Sequence, residues 1–142
     1  MVAKTEVYLG NPNLKKAGTE IQFTKKQVEE WIKCKRDPIY FAKNYVKIVS
    51  LDEGLVKFKM YPFQEKLIQN FHNSRFNICK MPRQTGKSTT AVSYLLHYAV
   101  FNDSVNIGIL ANKAATAREL LGRLQTAYEN LPKWMQQGII SW

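Results

Sequence analysis

Acidic residues are scarce in this sequence: 11 Asp and Glu stand against 21 Lys and Arg, for a net charge of +10 over 142 residues. The deficit is even, with 12 basic against 7 acidic residues in positions 1–60 and 9 against 4 in positions 61–142. That balance excludes an acidic surface and suits a polyanionic partner; a merely soluble basic domain is the alternative. Cysteine is nearly absent. Cys34 and Cys79 lack metal-ligand spacing and lie within apolar patterns, which points to buried free thiols in a reducing compartment rather than to a disulfide. No run approaches the ~18 uninterrupted apolar residues of a membrane span, and the N-terminus lacks the apolar stretch of a signal peptide. Internal repeats and low-complexity tracts are missing too. The expectation is a soluble, cytoplasmic, globular chain, long enough for one domain with a sizeable core.

What is present reads as alternating helices and strands. Residues 1–22 are polar and rich in turn formers, and are expected to form a loose arm. Thr24-Lys25-Lys26-Gln27 fits a capping box, predicting a helix with Val28, Trp31 and Ile32 on one face. Asp37-Pro38 restarts a short apolar helix carrying Ile39, Tyr40, Phe41, Tyr45 and Val46. Two apolar pieces around Asp52-Glu53-Gly54, within Ile48 to Met60, suit a hairpin or an ordered loop. Gln64 to Phe71 has helical spacing at Leu67, Ile68 and Phe71.

Phe76 to Cys79 reads as a strand, Lys80 to Thr85 as a loop, and Lys87 onward as a helix with a broad stripe of Ala91, Val92, Leu95, Leu96, Ala99 and Val100. Val105 to Ala111 suits a strand covered on both faces. A last helix places Ala117, Leu120, Leu121, Leu124, Ala127, Tyr128 and Leu131 on one side. Ile139 to Trp142 resembles the beginning of another strand. The resulting expectation is an α/β fold: a helical N-terminal appendage, then the first strands and helices of a parallel sheet, incomplete at the C-terminus.

The stretch Phe76 to Val92 reads FNICKMPRQTGKSTTAV. It ends as a phosphate-binding loop should, in Gly86-Lys87-Ser88, but the glycine due five residues before Gly86 is Met81. Such a loop works because backbone N–H groups curl round a phosphate at a helix start, where the dipole favours negative charge. Gly86 would admit the close turn, Lys87 would reach the β- and γ-phosphates, and the Ser88 hydroxyl would ligate Mg²⁺. Pro82 removes one N–H, so the first half of the loop must hold phosphate differently. Arg83, three residues before Gly86, can point a guanidinium at the γ-phosphate or face solvent or nucleic acid. The plainer alternative is a Gly-Lys-Ser helix start without nucleotide.

MPRQTGKSTTAV, with Arg83-Gln84 ahead of the glycine, resembles the deviant phosphate loop of the large terminase subunit of tailed phages, myovirus type. Trp31-Ile32-Lys33-Cys34, Asp37-Pro38-Ile39-Tyr40-Phe41 and Asn44-Tyr45 look like that family's opening helices, and Tyr61-Pro62-Phe63-Gln64 like its adenine-reading motif. Ile109-Leu110-Ala111-Asn112-Lys113, with Ala117, is similar to the segment after its second core strand, so the likeness runs from Phe23 to Trp142. It implies an ATP-driven motor that moves double-stranded DNA into a procapsid, with the portal protein and the small terminase subunit as partners. It also implies a ring assembled on the portal, the host cytoplasm as location, and no membrane.

Its cofactors would be ATP and Mg²⁺. Lys87 and Ser88 become the phosphate and metal contacts, Arg83 a cis arginine finger, and Gln64 the adenine reader, whose carboxamide has the donor and acceptor that adenine requires. Tyr61 or Phe63 would stack on the base, against a bland role as core aromatics. Gln84, Thr85, Gly86 and Thr89 complete the nucleotide-contacting set. The implied division is a flexible arm at 1–22, a helical lead-in at 23–74, and the first part of an ATPase core at 75–142.

The family's hydrolysis requires an apolar strand ending in Asp-Glu after the loop. Beyond Ser88 the acids are Asp103, Glu119 and Glu129, and none ends an apolar run. Ile48-Val49-Ser50-Leu51-Asp52-Glu53 resembles such a strand, but it precedes the loop and Gly54 makes it read as a turn. Family nuclease carboxylates are missing as well. The expectation is therefore the front part of a terminase, without turnover on its own. The competing readings are a helicase-like ATPase fragment and a non-catalytic DNA- or portal-binding piece. Lys113, Arg118 and Arg123, on the polar side of the last helix, are candidate DNA-phosphate contacts or an ordinary solvated face.

Overall fold

The computed structural model describes residues 6–50 and 52–142. After a 3-10 turn at Tyr8–Gly10 come helices α1 (Lys25–Arg36) and α2 (Pro38–Tyr45), then strands β1 (Lys47–Ser50) and β2 (Gly54–Lys57). Helices α3 (Pro62–Asn73), α4 (Lys87–Phe101) and α5 (Ala114–Glu129) complete the chain.

The N-terminal helices start where the sequence directs. The Thr24 hydroxyl accepts the Gln27 N–H at 3.3 Å while Gln27 Oε1 accepts the Thr24 N–H at 2.9 Å, which closes the capping box. Asp37 accepts the N–H groups of Ile39 (2.8 Å) and Tyr40 (3.0 Å), with Pro38 in the first helical position. Glu30 joins the two helices. It accepts the hydroxyls of Tyr40 and Tyr45, each within 3.0 Å of Oε2, and the Lys33 ammonium at 3.3 Å. Those donors, Tyr40 foremost, hold its carboxyl below the usual range. The core-facing side of α1 differs from the expected one. Trp31 packs on Phe101 and Cys34 is fully buried, whereas Val28 and Ile32 remain 45% and 43% exposed. Both stripes satisfy a 3.6-residue period, and the direction in which α2 folds back selects between them.

Phe41 of α2 is fully buried and meets Phe101 (5.4 Å) and His97 (5.5 Å) of α4 edge to face. Around it close Leu14, Cys34, Ile68, Leu96, Val100 and Met135. Of the α4 stripe, Val92, Leu96 and Val100 are buried and Ala91, Leu95 and Ala99 only partly so. On α5, Ala127 and Tyr128 are buried, and Leu131 just beyond it, while Leu121 is 47% exposed. Ala117, Leu120 and Leu124 of the same stripe are only partly buried.

β1 and β2 form the expected hairpin, antiparallel from Lys47↔Lys57 to Ser50↔Gly54, with Gly54 left-handed at φ 69°. Asp52 and Glu53 are exposed at its turn, and Leu51 lies outside the described residues. This hairpin overturns the fold-class expectation. Among the described residues it is the one sheet, two-stranded and antiparallel, in an otherwise helical chain. Neither Phe76–Cys79 nor Val105–Ala111 is a strand; Phe76, Ile78 and Leu110 are 82%, 101% and 93% exposed. A strand persists through ladder bonds to a neighbour and cover on its faces, and among the described residues these two segments have no ladder partner. Ile139 does not open a sheet strand either: it makes a single parallel bridge to Lys16.

Residues 7–17, within the segment read as a loose arm, sit against the C-terminal segment. Leu14 is 1% exposed, Gln136 Oε1 accepts the Lys15 N–H (3.0 Å), and Gln136 Nε2 donates to the Asn13 carbonyl (2.8 Å). Ala17 passes so close to Gly138 that any side chain there would overlap its backbone. Cys34 and Cys79 are both free; burial of Cys34 matches the expectation, but Cys79 is exposed because its segment is uncovered. Among the described residues no helix is long and apolar enough to cross a membrane.

Candidate functional site

The loop between Lys80 and Lys87 is built from its own backbone. Gln84 (φ 61°) and Gly86 (φ 72°) are both left-handed, and Thr85 between them is not. Alternating handedness of this kind turns successive N–H groups toward one concave side, an arrangement suited to anions. Pro82, which offers no N–H, supplies the acceptor that shapes the turn. Its carbonyl accepts the Thr85 hydroxyl and the Lys87 ammonium, each at 3.1 Å. The Lys87 side chain thus curls back over the loop it follows.

The 15-residue helix α4 begins directly behind. Its first backbone bond runs from the Thr90 N–H to the Gly86 carbonyl (2.9 Å), and the Thr90 hydroxyl donates to the same oxygen (3.0 Å). No side chain caps the N–H groups that precede Thr90. Those donors and the Lys87 ammonium fit a phosphate group. For Mg²⁺ the fit is narrower: Ser88 offers its hydroxyl, and among the described residues no three His, Cys, Asp or Glu side chains gather as a metal site.

Gln64 is brought to the loop from α3. It is 4% exposed; its Oε1 accepts the Tyr61 N–H (2.9 Å) and its Nε2 donates to the Thr85 carbonyl (3.2 Å). One carboxamide therefore braces the head of α3 against the turn at Thr85. Tyr61 and Phe63 flank it as a parallel stacked pair, 5.8 Å apart with an interplanar angle of 7°. They are 65% and 45% exposed, so the core-aromatic alternative holds for neither ring. Arg83 and Gln84 are exposed at the loop, and Arg83 has no ion-pair partner among the described residues. Thr89, one residue past Ser88, faces away toward β1 and α5 as part of a separate cavity.

Behind Lys87 and Ser88 opens a cleft of about 230 Å³ with otherwise apolar walls, among them Leu67, Phe71, Cys79, Leu95 and Ile109. It marks where the uncovered 76–79 and 105–111 segments pass α4. The remaining acids stay apart from this chemistry. Glu119 pairs with Arg123 at 2.6 Å, Glu129 accepts from Asn11, and Asp103 is exposed. Of the three candidate DNA contacts, Lys113 and Arg118 are exposed and Arg123 is engaged by Glu119. Sequence reasoning missed Pro82 and Thr90 as organisers of the loop. A carbonyl acceptor carries no residue-type signal, and Thr90 is read as one more helical residue.

The sequence matches no known family profile.

Proposed function

We propose that this chain is the ATP-binding portion of a large terminase subunit, part of a motor that drives double-stranded DNA into a phage procapsid by ATP hydrolysis in the host cytoplasm. One observation carries the reading: left-handed Gln84 and Gly86 around Thr85, with Lys87 held over the Pro82 carbonyl at the uncapped head of α4. It does not rest on a parallel sheet. Lys87 and the first-turn N–H groups would hold the phosphates, Ser88 the Mg²⁺, and the exposed Tyr61–Phe63 pair would face the base. Bound ATP–Mg²⁺ supplies the phosphoryl group and the divalent charge. Arg83, exposed in the same loop, is placed by the resemblance as the γ-phosphate contact. Portal, small subunit and ring assembly belong to the same proposal. The net charge of +10 supports a DNA-phosphate surface as part of this reading.

Thermal denaturation tests it. Millimolar ATP with Mg²⁺ should raise the melting temperature, as any ligand of the folded state does, and Lys87→Ala should erase the rise. An unmoved wild-type melting curve at that concentration would refute nucleotide binding by this chain.

A further inference from the structure

A cavity of about 700 Å³ lies between β1, α4 and α5, away from the phosphate loop's mouth. Its walls are mainly apolar, from Val46, Ile48, Val92 and Ala127, and its size lies in the range of small-molecule sites. Two features are unexplained by packing alone. Ser93 of α4 borders the cavity, is 1% exposed, and its hydroxyl has no hydrogen-bond partner. Buried hydroxyls are nearly always satisfied, and Thr126, across the cavity on α5, satisfies its own by donating to the Gly122 carbonyl at 3.0 Å. The second feature is Gly122, in the interior of α5, where glycine weakens a helix. Apart from the adjoining backbone of its own helix, no atom lies within 4 Å of a Cβ built there, so no close neighbour requires a glycine. What the missing side chain provides is room in the cavity.

The rim is charged. Glu119 and Arg123 neutralise one another at 2.6 Å, which leaves Lys47 of β1 as the rim cation without an ion-pair partner among the described residues. We propose that the cavity between β1, α4 and α5 binds a small amphipathic anion. Its apolar body would occupy the space left by Gly122, a polar group would meet the Ser93 hydroxyl, and its charge would face Lys47. Thr89, directly after Ser88, also borders this cavity, so an occupant touches the first turn of the helix that carries the phosphate loop.

Anilinonaphthalene sulfonate, an apolar body with one anionic group, is the probe, titrated into the full chain and followed by fluorescence. Wild type should bind with saturation. Gly122→Leu, which fills the space while improving helix propensity, should weaken binding by about tenfold or more, and Gly122→Ala should leave it nearly unchanged. Equal affinity for wild type and Gly122→Leu overturns the proposal, as does an absence of wild-type binding. Should Gly122→Leu lose its helical circular dichroism, methyl resonances of the wild type decide. Shifts at Val46, Val92 and Ala127 support the cavity, whereas shifts confined to exposed Ile78 and Leu110 refute it. The inference is independent of nucleotide binding: Lys87→Ala should abolish the response to ATP and leave dye binding intact.

Discussion

Gly86 carries two demands at one position. Its φ of 72° is left-handed, and a Cβ there would lie 2.5 Å from Gln64 Nε2, the atom that braces the loop. Gly86→Ala should therefore destabilise the fold by about 1–3 kcal/mol and free the Gln64 carboxamide from Thr85, measurable as a lowered denaturant midpoint with an unchanged m value. His97 makes a different kind of claim. Its Nε2–H donates to the Cys34 carbonyl (2.8 Å), leaving Nδ1 buried without a partner. Burial pushes its pKa below the ordinary value of about 6.5, and nearby His72 adds to the shift, while the Cys34 carbonyl and Asp37 oppose it. Between the ordinary and the folded value the unfolded chain holds a proton that the folded chain refuses. Stability from this group is thus complete above pH ~6.5 and declines as pH falls through the folded value. Melting temperatures should drop as pH falls below ~6.5, and His97→Gln should flatten that part of the profile; an unchanged slope in the variant would remove the claim. Beside it, Cys34 is pushed up to about 12 by burial and stays a thiol, inert where a reactive cysteine would be ionised.

At the level of elements, the sequence spoke clearly wherever a local device sets a boundary. Thr24, Gln27, Asp37 and Pro38 act on backbone groups within three residues, so the starts of α1 and α2 could be read without tertiary information. Asp37→Ala leaves the N–H groups of Ile39 and Tyr40 without their acceptor. It should cost about 0.5–2 kcal/mol, read from thermal unfolding, and Asp37→Asn should recover most of the loss. The hairpin was legible for the same reason, since Gly54 supplies the left-handed residue its turn requires. Strand assignments at Phe76–Cys79 and Val105–Ala111 failed because a short apolar run states only that burial is favourable. Whether a ladder partner exists is a long-range matter, and these segments lack one here. Helical stripes were half legible. Their period was correct, but which part of each stripe is covered depended on the neighbouring helices, as Leu121 and Ile32 show.

Over the whole molecule, two segments far apart in sequence meet. Leu14, fully buried, and Gln136, hydrogen-bonded to Lys15, Asn13, Tyr128 and Leu131, fasten residues 7–17 to the segment after α5. Leu14→Ala should cost about 2–5 kcal/mol and speed proteolysis near both ends together, which mapping of early cleavage sites would reveal. A polar, turn-rich N-terminus gave no hint of this, since one leucine among polar residues has no period to announce it. The candidate site divides along the same line. The Gly86-Lys87-Ser88 turn and helix start were written in the local order of residues, because a turn joined to a helix start is set by neighbouring residues. That Gln64 is buried as a brace, that Tyr61 and Phe63 stack in the open, and that Pro82 anchors Lys87 were decided by the fold. By itself the sequence determined charge, caps, turns and the period of each helix, all set by forces acting over a few residues. Only the tertiary structure decided the sheet and the covered faces, because burial and pairing depend on parts of the chain far away in sequence.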